Sequence, residues 1–179
     1  MMAAPNLIAA AVIPQIKNAK ICVWGTPPNL EYPNRLAEEY AMLDVMSQGR
    51  LEVAFPLGTG MEYWANPINP ATARDRHREA IDIILQAWTK DGPTTYYGDF
   101  YTYRFLNPWP RPYQTPHPPI WITGSSDFEA IRKVASRGYV FATFLQPYDS
   151  VREMFDAYRS AYRDCGLPGG GGMRRPLRL

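Results

Sequence analysis

The chain has few of the residues that carry disulfide and metal chemistry. Its 179 residues include two cysteines, Cys22 and Cys165, and two histidines. The cysteines are far apart, and neither has a second cysteine or a histidine at metal-ligand spacing. We therefore expect reduced thiols, with neither a disulfide framework nor a metal site.

Long apolar runs and an excess of one charge are also missing. The longest apolar run near the start, residues 7–14, is shorter than the roughly 20 residues that span a bilayer, and no basic segment precedes it. The net charge is only +2, and the basic residues are spread along the chain, unlike the basic stripe of a nucleic-acid-binding protein. These features predict a cytoplasmic protein that binds neither nucleic acid nor membrane.

The usual catalytic side-chain arrangements are not found either. No Ser-His-Asp or Cys-His arrangement, paired-carboxylate motif or phosphate-binding lysine loop can be placed. His77 falls on a charged helix face that we assign to solvent, and His117 lies between prolines in a loop. We therefore name no catalytic residue.

What the sequence does contain is an alternation of helices with short apolar strands. This order predicts parallel βα units, and therefore the α/β class. Residues 61–70 are predicted as a long loop, and residues 91–119 as an excursion with a small hairpin around Gly98-Asp99. The predicted helices cover residues 3–15, 71–89, 127–137 and 150–165 and a segment that starts at Pro33 and ends at Gln48-Gly49; the strands cover residues 19–24, 51–57, 120–123 and 139–144.

Small polar residues follow the predicted strands at Gly25-Thr26, Gly58-Thr59-Gly60 and Gly124-Ser125-Ser126, and Gln146-Pro147 follows the last strand. Because the carboxyl ends of parallel strands meet at one edge of a sheet, these turns should open onto a common rim.

The Gly124-Ser125-Ser126 turn has two interpretations. Its glycine, two hydroxyls and the N–H groups at a helix start form a ready anion site. Alternatively, Ser125 or Ser126 simply caps the helix. Gly58-Thr59-Gly60 is in the same way either a ligand cradle or a tight turn.

Three stretches resemble the bacterial luciferase-like flavin monooxygenases. They are RLAEEYAMLDVMSQGRLEVAFPLGTG (residues 35–60), RDRHREAIDIILQAWT, and NPWPRPYQTPHPPIWITGSS (residues 107–126). The resemblance covers residues 6–168 and implies a partial (β/α)8 TIM-type barrel, whose parallel strands correspond to about strands 3–6. We expect residues 1–168 to form this domain, residues 169–179 to be a flexible Gly/Arg-rich tail, and the chain to be a fragment or truncated product.

The resemblance also implies a function. In this family the turn at Gly124, Ser125 and Ser126 contacts a flavin, and Gly58 and Thr59 are the second cofactor-binding candidates. Many relatives carry an arginine where this chain has Leu57, which implies a weaker or differently anchored phosphate. The family activity takes reduced FMN, O2 and an organic substrate. The expected partners are a flavin reductase as the source of reduced flavin, or further copies of the chain in a homo-oligomer.

Two other functions stay open at this point. A deazaflavin could replace FMN and transfer hydride, because the turns do not discriminate between the cofactors. The chain could also be a non-catalytic module that completes its barrel by assembling with another chain. Tyrosines and tryptophans in residues 61–69 and 93–112 are expected either to roof a substrate site or to pack over the barrel.

Overall fold

The computed structural model describes residues 4–124 and 127–166. The chain divides into two compact units, Met1–Pro118 and Pro119–Leu179, each of which is described by itself. The first unit holds α1 (Pro5–Val12), β1 (Ile21–Trp24), α2 (Pro33–Ser47), β2 (Leu51–Phe55), α3 (Gly60–Ala65), α4 (Ala73–Thr89), β3 (Thr94–Tyr97) and β4 (Thr102–Leu106); the second holds β5 (Ile120–Thr123), α5 (Phe128–Ser136), β6 (Val140–Ala142) and α6 (Tyr148–Asp164).

The first unit is built on a parallel pair of strands. β1 pairs with β2 in a register that places Ile21 opposite Leu51 and Trp24 opposite Ala54. All five residues of β2 are buried, as expected for a strand covered on both faces. The predicted parallel βα organisation is therefore confirmed for this unit.

Helix α2 has the predicted core face and the predicted end. Leu36, Tyr40 and Leu43 are buried. The helix ends at Gln48 (φ 53°) and Gly49 (φ 79°), whose N–H groups return to carbonyls of the last turn. Glycine adopts this left-handed conformation at little cost, so it is the usual helix C-cap residue.

Helix α4 packs against α2 and β2 through its buried stripe. The Trp88 indole donates a hydrogen bond from Nε1 to the Ala37 carbonyl at 3.0 Å, and its ring centroid lies 6.5 Å from that of Phe55. The assignment of His77 to solvent was wrong, because His77 is buried. It lies one helical turn before Ile81, and the 3.6-residue period therefore places it on the same buried stripe.

The predicted loop over residues 61–70 is partly helical. α3 starts with a capping box, in which the side chains of Thr59 and Glu62 bond reciprocally to backbone N–H groups. This Thr-x-x-Glu spacing is a recognised helix-start signal. A 3-10 turn at Pro70–Thr72 then leads into α4.

The aromatic excursion contains the predicted hairpin, with β3 antiparallel to β4. Gln86 donates from Nε2 to Thr94 Oγ1 at 2.9 Å and to the Thr95 carbonyl at 3.0 Å. Near the other end of α4, the Glu79 carboxylate accepts a hydrogen bond from the Tyr101 N–H at 2.9 Å. The hairpin therefore packs lengthwise along α4.

The second unit repeats the parallel βα arrangement. β5 pairs with β6 so that Thr123 lies opposite Ala142. Phe141 lies with its ring centroid 5.8 Å from that of Tyr158, and the Tyr158 hydroxyl donates to the Tyr139 carbonyl at 2.6 Å. The predicted strands and helices of this part of the chain are confirmed.

Three sets of residues, 1–3, 125–126 and 167–179, lie outside the described part of the chain. They include Ser125, Ser126 and the predicted tail. Within the described part, no helix combines the length and the apolar character needed to cross a membrane. In residues 4–124 and 127–166 there is also no group of three side chains suited to hold a metal ion.

Candidate functional site

The carboxyl ends of β1 and β2 form a polar rim on the first unit. Because the strands are parallel and Trp24 lies opposite Ala54, the segments that follow them leave the sheet at the same edge. Gly25-Thr26 follows β1, and Gly58-Thr59 follows β2 after two connecting residues. The structure therefore brings these two predicted turns to one edge.

Thr59 is engaged by a carboxylate of its own turn. Its backbone N–H donates to Glu62 Oε2 at 2.7 Å, and its hydroxyl donates to the same oxygen at 3.1 Å. Both Thr59 donors that could bind a phosphate therefore point at the negatively charged Glu62 carboxylate. The group that the turn presents outward is the Glu62 carboxylate, a hydrogen-bond acceptor.

Gly58 lies in a tight turn beside Tyr63. Its φ of 95° is in the left-handed region, and a Cβ at this position would lie 3.3 Å from the Tyr63 hydroxyl. That hydroxyl donates to the Leu57 carbonyl at 2.6 Å, which ties α3 to the end of β2. Burial raises the pKa of Tyr63, so the phenol remains a neutral donor.

The outer face of α3 is apolar. Met61 is 71% exposed and Trp64 is 88% exposed, whereas Tyr63 on the inner face is buried. An exposed tryptophan on a helix that is fixed at its start by a capping box can cover a ligand at the neighbouring turn.

A small cavity of about 270 Å³ lies beside the end of β1. The Thr26 hydroxyl donates to Asn6 Oδ1 at 3.4 Å, and Asn6 Nδ2 donates to Glu39 Oε2 at 2.7 Å. Burial, together with the nearby Glu39 carboxylate, raises the pKa of Glu31. The cavity is therefore lined by a chain of polar groups that ends in carboxylates.

In the second unit, Gly124 follows β5 and is held by close packing. Its N–H donates to the Ala142 carbonyl at 2.9 Å, and a Cβ at this position would lie 2.5 Å from Phe141 Cε2. Only glycine fits here without a shift of the phenylalanine ring. The Gly124 N–H is used by the backbone and is not a free donor for an anion.

Helix α5 is capped by Asp127. Its carboxylate accepts hydrogen bonds from the N–H groups of Glu129 and Ala130, both at 3.1 Å. The interpretation that Ser125 or Ser126 caps this helix is therefore wrong, because an aspartate that caps equally well lies closer to the helix start. These two N–H groups are also not free for an anion. Ser125 and Ser126 themselves lie outside the described residues.

A hydroxyl that the sequence reasoning missed lies beside this turn. Thr143 directly follows β6, and its Oγ1 is buried with no hydrogen-bond partner among the described residues. Gly124 bonds to the backbone of the preceding residue, Ala142, so Thr143 and Gly124 belong to the same edge of the β5–β6 pair. A buried hydroxyl without a partner costs free energy, and a polar ligand group would remove this cost.

Each edge, taken by itself, offers groups that suit some parts of a flavin and not others. Glu62 offers an acceptor, and Thr143 offers an unused hydroxyl; both suit ring N–H, carbonyl and ribityl hydroxyl groups. The described donors at Thr59 and α5 already face the carboxylates of Glu62 and Asp127. A phosphate is therefore not held by the described donors, and Ser125 and Ser126 remain its predicted ligands.

Parallel βα units with a polar edge at the carboxyl ends of the strands are typical of α/β enzymes, which include the α/β barrels. The family model of the luciferase-like monooxygenases matches residues 3–175. The chain belongs to this family. It is 33% identical to the oxygenase component of a flavin-dependent trigonelline monooxygenase of Acinetobacter baylyi, over 66% of this chain and 33% of that protein.

Solved structures agree with this assignment. The monooxygenase RslO1 from Streptomyces bottropensis is 25% identical, with a TM-score of 0.86 over 92% of this chain and 51% of that chain. An F420-dependent secondary alcohol dehydrogenase in complex with an F420-acetone adduct is 22% identical, with a TM-score of 0.81 over 95% of this chain and 52% of that chain. The chain has the fold of part of a TIM-type barrel and spans about half the length of these structures.

Proposed function

We propose that the chain provides part of the active site of a flavin-dependent monooxygenase, which uses reduced FMN and O2 to introduce an oxygen atom into a small organic substrate. The observation that carries the proposal is the family match over residues 3–175. The curated relatives are longer, since matching residues make up 45% and 33% of two of them. The activity proposed is that of such a complete barrel.

The candidate cofactor-binding residues are Gly124, Ser125 and Ser126, and Gly58 and Thr59 form the second candidate turn. A bound reduced flavin would supply the electrons that activate O2. Thr143 would give its unused hydroxyl to a polar group of the cofactor or substrate. Glu62 would accept a hydrogen bond from a ring N–H or ribityl hydroxyl, and Met61 and Trp64 would keep water from the reacting atoms.

A flavin reductase is the proposed partner. The curated relative from Acinetobacter is named as an oxygenase component, a term for the half of a two-component system that receives reduced flavin. O2 uptake by a mixture of the chain, a reductase, NADH and FMN, compared with the same mixture without the chain, tests this partnership.

Hydride transfer with a deazaflavin is the second candidate. The solved F420-dependent dehydrogenase has the same fold, and the groups at the described turns would suit polar groups that FMN and a deazaflavin share. Separate spectral titrations with FMN and F420 would decide between the two cofactors. Tighter binding of F420 would favour the dehydrogenase reaction.

The first experiment is an FMN titration of the purified chain, followed by flavin fluorescence. Thr143→Val removes the hydroxyl with little change of shape, and Ser160→Ala on the exposed side of α6 is the matched control. We expect Thr143→Val to weaken FMN binding by about tenfold, the loss of one buried hydrogen bond. A chain that binds no flavin, and that forms larger species as its concentration rises in sedimentation, would favour the non-catalytic assembly module.

A further inference from the structure

Arg76 connects two segments that are far apart in the sequence. Its Nε donates a hydrogen bond to the Asn29 carbonyl at 3.0 Å. Its guanidinium carbon lies 4.3 Å from the centroid of the Tyr101 ring, a distance typical of a cation–π interaction. Asn29 follows β1 at the rim, and Tyr101 lies at the tip of the β3–β4 hairpin. A single side chain of α4 therefore joins the hairpin tip to the rim.

The hairpin tip is a fixed support for this contact. The Glu79 carboxylate accepts hydrogen bonds from the N–H groups of Phe100 at 3.1 Å and Tyr101 at 2.9 Å. A Cβ on Gly98 would overlap with the same carboxylate, so the tip fits closely around Glu79. Tyr101 is buried, and its backbone is held by Glu79 beside the Arg76 guanidinium.

The segment on the rim side, residues 25–32, has little backbone pairing of its own. Pro27 and Pro28 lack an N–H group, and the turn that follows is closed by one hydrogen bond, from the Leu30 N–H to the Pro27 carbonyl at 3.0 Å. Asn29 is nevertheless completely buried. The charged donor to its carbonyl therefore forms a side-chain hydrogen bond that ties this buried segment to α4.

We propose that Arg76 is a positioning residue, which uses the hairpin tip as a support to hold residues 25–32 at the carboxyl end of β1. The hairpin packs along α4 and does not itself supply a predicted site residue. The sequence of the hairpin would still affect the rim, because Tyr101 determines the position of the Arg76 guanidinium. Only the consequence for cofactor binding rests on the proposed function.

Hydrogen exchange of the full chain tests the structural part directly. We expect Arg76→Gln to speed exchange of the amides of residues 29–32 by about tenfold, because a charged hydrogen bond is lost. Arg76→Lys keeps the charge but not the planar donor group, and should give an intermediate rate. Arg78→Gln is the matched control, since Arg78 is exposed on the same helix and pairs with Asp75 at 3.2 Å.

Two outcomes would overturn the proposal. One is exchange of residues 29–32 in Arg76→Gln at the rate of the Arg78→Gln control. The other is an equal increase of exchange over the whole first unit, which indicates general loss of stability. If Arg76→Gln does not fold, Tyr101→Leu is used in its place. We expect the same local increase in the hydrogen-exchange rate at residues 29–32, although this substitution lies in the hairpin.

Flavin binding provides a second readout. In a chain that binds FMN, Arg76→Gln should weaken binding by about tenfold and Arg78→Gln should leave it unchanged. Unchanged affinity in Arg76→Gln would contradict the role at the rim. A wild-type chain that binds no FMN contradicts the proposed function instead, and the exchange comparison still decides the role of Arg76.

Discussion

The buried carboxylate of Asp44 holds Gln114 by two hydrogen bonds. Asp44 Oδ2 accepts from the Gln114 backbone N–H and Oδ1 from Gln114 Nε2, each at 2.8 Å. The same Nε2 also donates to the Leu51 carbonyl at 2.8 Å. Two of the stretches that carry the family resemblance, residues 35–60 and 107–126, therefore meet at this contact, which fixes the long connection to the start of β2.

Asp44→Asn should destabilise the chain markedly. The asparagine side chain keeps one acceptor oxygen, but its NH2 group would face one of the two Gln114 donors. Buried N–H groups would then be left without an acceptor. We expect a loss of about 2–4 kcal/mol in the free energy of unfolding. Urea unfolding of the variant, with the exposed Asp75→Asn as control, measures it. A loss no larger than that of the control would show that the contact contributes little.

Because of His77, the stability of the chain should decrease as the pH falls below 6.5. Burial lowers the pKa of His77 to about 4 from its ordinary value of 6.5, and its Nε2 lies 3.1 Å from the Phe55 carbonyl. Between these values the unfolded chain binds a proton that the folded chain does not, so stability decreases as pH falls from 6.5 towards 4.

The comparison that isolates this effect is between wild type and His77→Gln. Glutamine keeps a donor for the carbonyl but does not titrate. Urea unfolding at pH 7 and pH 4.5 should show a smaller pH dependence for the variant, by up to about 3 kcal/mol. The carboxylates contribute equally to both proteins, and an identical pH dependence would therefore disprove the buried neutral state of His77.

Gly98→Ala should loosen the hairpin. The added methyl group would overlap with the Glu79 carboxylate. The carboxylate must then move away from the N–H groups of Phe100 and Tyr101, from which it accepts hydrogen bonds. We expect a loss of about 1–3 kcal/mol in the free energy of unfolding. Gly60→Ala is a suitable control, because nothing lies within 4 Å of a Cβ there. Equal stabilities of the two variants in urea would argue against a tight fit at Gly98.

Asp127→Asn should strengthen FMN binding if the phosphate lies at the turn before α5. Asparagine caps a helix as well as aspartate, so the helix is retained while a negative charge is removed. Affinity should increase by about two- to fivefold at low salt, and the gain should shrink in high salt. Asp149→Asn, in the first turn of α6, is the control. An unchanged affinity would place the phosphate elsewhere.

The local elements could be predicted because each one is encoded by neighbouring residues. Gln48-Gly49 ends α2 through the conformational freedom of glycine, and the apolar residues of β2 are typical of a strand buried on both faces. The Thr-x-x-Glu start of α3 was also present in the sequence, and recognising it would have predicted that helix. The capping role of Asp127 was also missed, because the run Ser-Ser-Asp offers three residues in succession that can cap a helix.

The state of the candidate site depended on contacts between distant residues. Nothing near Thr143 in the sequence indicates that its hydroxyl is buried without a partner in the described part of the chain. The partners of Gly124, which are Phe141 and Ala142, lie on the next strand. The burial of His77 follows from the helical period, whereas its contact with the last carbonyl of β2 was decided by the fold.

The sequence by itself determined the family, the order of the βα units and the positions of the glycine turns, because motif spacing, hydrophobic period and backbone freedom are local properties of the chain. The tertiary structure alone decided which donors at those turns are still available. Thr59 and Asp127 find their partners within three residues of the chain, but Gly124 donates to Ala142 on the neighbouring strand, and the Thr143 hydroxyl has no partner among the described residues, because the fold decides which distant groups come near.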